Sequence, residues 1–243
     1  MRENYTLTRL YVDTPLNAGA AVTLEPAQAH YLGTVLRKSV SDTVRIFNGH
    51  DGEWAAEISM LSKRGGSLIV TDPLRRHHDA PDIWLVFAPV RKHRTAFIFE
   101  KATELGVSKF VPVITARTQF AKLNTDKARA QIIEAAEQTE RLDLPEVAKP
   151  KKLDSLLDNW DKGRRIIFAD EAGGGHSVLD ILRNYSGPCA LLIGPEGGFT
   201  EAERDRLLNM DCVDAVSLGP RILRADTAAI SLLTLWQSAQ GDW

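Results

Sequence analysis

Apolar positions along the chain change their period near residue 80. Before it they alternate with polar ones over short stretches, the two-residue repeat of a half-buried strand, which predicts strands at residues 10–12, 43–47, 53–60 and 67–70. Asn48-Gly49-His50-Asp51-Gly52 falls between two of these as a hairpin signal. One helix interrupts over residues 26–37, with Ala29, Leu32, Val35 and Leu36 on one face. A small, mainly β, barrel-like domain is predicted over residues 1–74. The polar run Arg75-Arg76-His77-His78-Asp79-Ala80-Pro81 ends in proline and reads as a linker.

Beyond Asp82, predicted strands at 83–87, 110–114, 165–169, 189–193 and 215–218 alternate with predicted helices at 92–105, 126–140, 153–160, 178–184, 201–209 and 227–237. Such alternation builds an α/β domain, here over residues 80–243, with a mostly parallel sheet and helices on both faces. Gly106 is placed as a helix C′ residue, and Thr200 with Glu203 makes a capping box. Gly173-Gly174-Gly175 reads as a flexible loop.

Two glycine–proline loops each follow an apolar run and precede a helical one: Ile193-Gly194-Pro195-Glu196-Gly197-Gly198-Phe199-Thr200 and Leu218-Gly219-Pro220-Arg221-Ile222-Leu223-Arg224. Open α/β sheets bind ligands at the carboxyl ends of their strands, where such loops sit. Neither loop has the Lys-Ser/Thr ending of a P-loop or the G-x-G-x-x-G spacing of a dinucleotide fold, which argues against a polyphosphate clamp and against a nicotinamide or flavin oxidoreductase. One cofactor pocket built mainly from main chain is expected.

At 243 residues and 44% hydrophobic, the chain has material for one large core or two smaller ones. A formal charge of −2 leaves any nucleic-acid contact to local basic patches. The two cysteines, Cys189 and Cys212, are expected reduced in or near the core, and the six histidines form no zinc-like set, so no metal is expected. Met1-Arg2-Glu3-Asn4-Tyr5 leads to no apolar leader and no stretch is long enough to span a bilayer, so a cytoplasmic protein without a membrane segment is expected.

Ile193-Gly194-Pro195-Glu196-Gly197-Gly198, and Leu218-Gly219-Pro220-Arg221-Ile222-Leu223-Arg224 followed by Asp226 and Thr227, closely resemble the C-terminal signature of the bacterial ribosomal RNA small-subunit methyltransferase E family. Lys101-Ala102-Thr103-Glu104-Leu105-Gly106-Val107, Glu137-Gln138, Arg9-Leu10-Tyr11-Val12, His30-Tyr31-Leu32 and Val35-Leu36-Arg37 resemble its other motifs. The chain departs at Asp226, where the family commonly has Glu, and at Thr139-Glu140, where it commonly has a small residue and Gly before Arg141. The resemblance implies a PUA-like β-barrel RNA-binding domain, then a SPOUT-type domain with a C-terminal trefoil knot. It also implies S-adenosyl-L-methionine as cofactor, N3 of a uridine in 16S ribosomal RNA or the small ribosomal subunit as target, and a homodimer formed through the last helix, with Leu233 or Trp236 serving the interface.

The cofactor residues it implies are Ala169, Ile193, Gly194, Pro195, Gly197, Gly198, Leu218, Gly219, Ile222, Leu223 and Thr227. The chemistry asks for a group to take the N3 proton and one to stabilise the developing uridylate; Glu196 and Arg224 are the candidates, with Arg221 as alternative to Arg224. Arg9, Arg37, Lys38, Arg91, Arg141 and Arg221 are the candidates for RNA contact. A different RNA target for the same chemistry, or a non-catalytic RNA-binding assembly factor, are the alternatives.

Overall fold

The computed structural model describes residues 6–173, 175–185 and 187–243; Met1–Tyr5 and Gly174, both named above, lie outside them. By packing, the chain divides into two compact units: the chain up to Asp79 with Ala136–Leu144, and Ala80–Ala135 with Pro145–Trp243.

The first unit is built on five strands, β1 (Arg9–Tyr11), β2 (Ala21–Leu24), β3 (Thr43–Phe47), β4 (Glu53–Ser62) and β5 (Gly65–Arg75), in the order β1-β3-β4-β5-β2. The β3–β4 hairpin closes at the predicted turn, where Asn48 Oδ1 accepts from the amides of His50 (3.0 Å) and Asp51 (2.8 Å). Strand alternation sends Val44, Ile46, Ala56, Ile58, Leu68 and Val70 into one core. Strand β2 was not anticipated: only Val22 and Leu24 of its residues point inward, too short a pattern to register. β5 runs on to Arg75, so the polar run read as linker begins inside a strand.

The predicted first helix is shorter and changes type. α1 (Pro26–His30) continues as a π-turn over Tyr31–Val35, and Arg37 takes φ 56°. The Lys38 amide then donates to the Leu32 carbonyl at 2.9 Å, closing the helix over the buried Leu32.

A buried charge network centres on Glu53, whose side chain is 2% exposed. Its carboxylate takes Arg9 Nε (2.6 Å), Arg75 Nε (2.8 Å) and, more loosely, Arg45 Nη1 (3.4 Å). Arg9 also donates to the carbonyls of Ala136 and Arg141, and its guanidinium lies 3.8 Å from the centre of the Phe47 ring. Glu140 closes the network on Arg45 (2.7 Å) and Arg75 (3.0 Å) from a backbone at φ 63°. That left-handed conformation stops the predicted helix early: α3 ends at Gln138 (Thr125–Gln138). Burial pushes the Glu53 carboxyl up, but hydrogen bonds from Arg75 and Arg9 and their charges outweigh it and hold it below the ordinary carboxylate range.

In the second unit every strand pairing is parallel. Its main strands are β6 (Ile83–Phe87), β7 (Lys109–Ile114), β10 (Arg165–Ala169), β12 (Cys189–Ile193) and β13 (Val213–Ser217). Short strands β8 (Glu146–Val147), β9 (Lys151–Lys152) and β11 (His176–Ser177) extend the sheet to the order β11-β13-β10-β12-β6-β7-β8, with β9 also on β7. Helices are α2 (Lys92–Glu104), α4 (Leu153–Asp158), α5 (Val178–Asn184), α6 (Glu201–Leu208) and α7 (Ala225–Gln240).

Both faces of this sheet are covered, as a parallel sheet requires. Val86, Ile166, Phe168, Ala190 and Leu192 pack with Leu153, Leu157, Trp160 and Leu207 on one side. On the other, Phe87 meets Phe99 of α2 edge-on, with ring centres 5.6 Å apart. Leu233 and Trp236, expected at an interface between copies, are 0% and 4% exposed, because α7 lies against α2 and α5 and spends both side chains inside the protomer. Cys189 and Cys212 are free and buried, and burial pushes the Cys189 thiol up to about 12. Among the described residues no helix is long and apolar enough to cross a membrane.

Candidate functional site

The chain order places three strand ends side by side. β12 enters the sheet between β6 and β10, and β13 goes to the opposite side of β10. The two main strands that follow β10 in sequence therefore flank it, which is a topological switch point. Register keeps the ends level: Phe168 pairs with Leu192 on one side and Ala169 with Val216 on the other.

A cavity of about 390 Å³ opens where these strands end. Its lining includes Ala169, Ile193, Gly194, Pro195, Glu196, Leu218, Gly219, Arg221, Ile222, Leu223 and Arg224. Gly197, Gly198 and Thr227 do not line it; Thr227 is exposed on the first turn of α7. The loop glycines serve different ends. A Cβ on Gly194 would meet the Phe199 ring at 2.6 Å, so that glycine admits an aromatic ring which itself packs on Phe168. Gly219 has φ 108° and nothing within 4 Å of a Cβ, so there the missing side chain leaves open space.

The second half of the first loop is fixed from outside the cavity. Arg117 Nη1 donates to the carbonyls of Gly197 (3.0 Å) and Phe199 (3.2 Å). Thr200 and Glu203 form the predicted capping box at the start of α6, and Glu203 also accepts from the Ala116 amide at 2.7 Å. Arg94, on the first turn of α2, joins the two loops: Nη1 donates to Asp226 Oδ1 (2.9 Å) and Oδ2 (3.0 Å), while Nε lies 3.7 Å from Glu196 Oε1. Asp226 is in the first turn of α7, two residues after the exposed N-cap residue Arg224.

Sequence reasoning missed two carboxylates in the cavity wall, Asp170 and Glu171, which leave the end of β10. Asp170 is bidentate to Arg204 of α6, with Nη2 to Oδ2 at 2.8 Å. Desolvation in the cavity wall pushes the Glu171 carboxyl above its ordinary range, Asp170 adds to the rise, and Arg117 and the Phe199 amide oppose it. The signal was available: an acidic pair directly after an apolar strand, at the edge where the glycine loops were already sought.

S-adenosylmethionine needs a flat apolar slot, main-chain polar groups and negative charge near its cationic end. Ile193, Leu218, Ile222 and Leu223 supply the first, the irregular backbone of residues 218–224 the second, and Glu171 and Glu196 the third, in a cavity of nucleoside size. The lining therefore fits the group. Among the described residues no three His, Cys, Asp or Glu side chains gather to hold a metal.

The basic residues expected to meet RNA fall into two classes. Arg37 and Arg91 are exposed, Lys38 is half-buried, and Arg221 and Arg224 are exposed on the cavity wall. Arg9 and Arg141 are 6% and 9% exposed, and here the structure corrects the expectation. Arg9 is committed to Glu53 and two carbonyls, and Arg141 donates through Nε and Nη2 to Asp143, both at 2.8 Å. Neither side chain is presented to a phosphate; both bind the first unit internally.

A family model described as an RNA methyltransferase domain matches residues 78–237, and one described as an RNA methyltransferase PUA domain matches residues 24–71. Ribosomal RNA small subunit methyltransferase E from Rickettsia conorii is 32% identical over 228 residues, covering 93% of each chain. The crystal structure of ribosomal RNA small subunit methyltransferase E from Neisseria gonorrhoeae bound to S-adenosyl methionine is similar at TM-score 0.88 and 27% identity, over 98% of this chain and 99% of that one. A putative methyltransferase from Legionella pneumophila, in complex with bound S-adenosylmethionine, is similar at TM-score 0.86 and 30% identity, over 98% and 99% of the two chains.

Proposed function

Because the chain belongs to the ribosomal RNA small subunit methyltransferase E family, we propose that it methylates N3 of a uridine in 16S ribosomal RNA, using S-adenosylmethionine. The observation that carries this reading is the cavity at three adjacent parallel strand ends, walled by both glycine–proline loops. On this reading residues 1–74 are a PUA-like β-barrel that holds RNA through Arg37 and Lys38, and residues 80–243 are the SPOUT-type catalytic domain with its C-terminal knot. Arg91 and Arg221 add phosphate contacts. The enzyme works in the cytoplasm as a homodimer.

When bound, the cofactor supplies an electrophilic methyl group. Main-chain groups of Ile193, Gly194, Leu218 and Leu223 would frame its purine, and Ala169, Pro195, Gly219 and Ile222 would complete the wall. Glu196 accepts the uridine N3 proton, and Arg94, 3.7 Å from its Oε1, orients the carboxylate. Arg224 stabilises the charge that grows on the uracil oxygens, with Arg221 as the alternative.

Single-turnover methylation by Glu196→Gln tests the assignment. With cofactor saturating, the rate should fall by about 10²- to 10⁴-fold, the range for a lost general base. A wild-type rate with intact RNA binding removes Glu196 from the mechanism. Mass spectrometry of 16S ribosomal RNA from a deletion strain should show one missing methyluridine; an unchanged methylation pattern overturns the substrate.

A further inference from the structure

Among the described residues three carboxylates line the cavity, and two of them are already answered by arginine: Asp170 by Arg204 at 2.8 Å, and Glu196 by Arg94 at 3.7 Å. The third, Glu171, forms no ion pair among the described residues. It is nonetheless held in place. A Cβ on Gly198 would stand 1.6 Å from Glu171 Oε1, so the carboxylate occupies the space that this glycine, at φ 66°, leaves open. The Phe199 amide faces it as well.

A carboxylate fixed in a partly desolvated wall, with Arg117 acting on it only at a distance and no ion-pair partner, gains from the arrival of a cation. The same deficit raises the affinity of Glu171 for a proton. The cavity is two-ended: Ile193, Leu218, Ile222 and Leu223 make an apolar end on β12 and β13, while Asp170 and Glu171 make an acidic end on β10. A nucleoside carrying an amino-acid tail is two-ended in the same way, with a flat base at one end and an α-ammonium, charged at neutral pH, at the other.

The geometry points to Glu171 as the residue that binds the α-ammonium of the cofactor's methionine tail, seated there by Gly198. This rests on the methyltransferase reading above and adds to it a specificity element: the cavity selects adenosyl compounds that carry an amino acid over those that do not. Asp170 serves as a positioning residue, because its bond to Arg204 anchors the turn from which Glu171 projects. S-adenosylhomocysteine keeps the ammonium but lacks the sulfonium, so it isolates the contact from any attraction to the reacting centre.

The test is calorimetric titration of wild type and Glu171→Gln with two probes, S-adenosylhomocysteine and its desamino analogue, in which hydrogen replaces the α-ammonium. Removal of one charged hydrogen-bond partner should weaken S-adenosylhomocysteine binding by about tenfold or more, leave the desamino analogue within about twofold, and leave thermal unfolding unchanged. Gly198→Ala, which drives a methyl group into the carboxylate, should show the same selective loss. Equal loss for both probes, or no loss for either, overturns the role of Glu171. If wild type binds neither probe, the methyltransferase reading falls first, and this one with it.

Discussion

Glu53 and Glu171 are the same residue in opposite circumstances. Glu53, in the first unit, is 2% exposed and held by Arg9, Arg75 and Arg45, so its carboxyl titrates below the ordinary range. Glu171, in the second unit, has a partly desolvated carboxyl with no arginine paired to it, and titrates above that range. A carboxylate whose charge is answered within the protein is part of the scaffold. One left unanswered in a cavity wall is available to a ligand, and the direction of its titration separates the two cases before any ligand is seen.

The comparison breaks most easily at Glu53. Glu53→Gln leaves the buried Arg9 guanidinium without its counter-charge and strips Arg75 and Arg45 of a shared one, and should cost about 3–5 kcal/mol in urea denaturation. Its pH signature has a definite sign. Because folding lowers the Glu53 pKa, its stabilisation is present above the unfolded value of about 4 and is lost as pH falls through the lower folded value. The variant should therefore show a flatter loss of stability in acid; an unchanged acid limb and an unchanged midpoint would show that the network contributes little.

Glu140 sharpens the same point at smaller scale. It occupies φ 63°, a conformation that favours glycine, and is held there by Arg45 and Arg75. Glu140→Ala keeps the strain and loses the pairs, and should destabilise by about 1–2 kcal/mol; Glu140→Gly should cost less, since the left-handed conformation becomes free. Equal losses in the two variants would show that the backbone strain is negligible.

Arg9 and Arg37 divide along the same line. Arg37→Ala should weaken RNA binding and lower the magnitude of the salt slope by about one, without changing stability. Arg9→Ala should lower the unfolding midpoint instead. If Arg9→Ala lowers the salt slope in fully folded protein, its internal role is refuted. The smallest effect belongs to Glu171→Gln: removal of a partly desolvated charge without an ion-pair partner should move stability by less than about 0.5 kcal/mol, and upward if at all. A clear fall in melting temperature would mark it as a structural residue.

Much of this was legible in the sequence. The period change near residue 80 separated the strand-rich and alternating segments, and strands such as β6, β10 and β12 were read to the residue, because fully buried runs bounded by polar residues leave little latitude. The glycine loops were found because a pattern of Gly and Pro is local. Strand order is not local: nothing in residues 189–193 says that β12 inserts between β6 and β10. Nor does residue type report partners. Arg9 and Arg141 look like any surface arginine until the carboxylates and carbonyls that surround them are known. Arg94, three residues after the RNA-contact candidate Arg91, carries no local sign of its bond to Asp226, which joins positions 132 apart in sequence.

The segment Ala136–Leu144 has a consequence for synthesis. It completes the first unit by giving Arg9 two carbonyl acceptors and Arg45 its second carboxylate. Translation delivers it more than fifty codons after Asp79, so the amino-terminal body waits, with cationic side chains facing an unfinished interior, while much of the other body emerges from the ribosome. A fragment cut at the apparent boundary would carry that vacancy permanently.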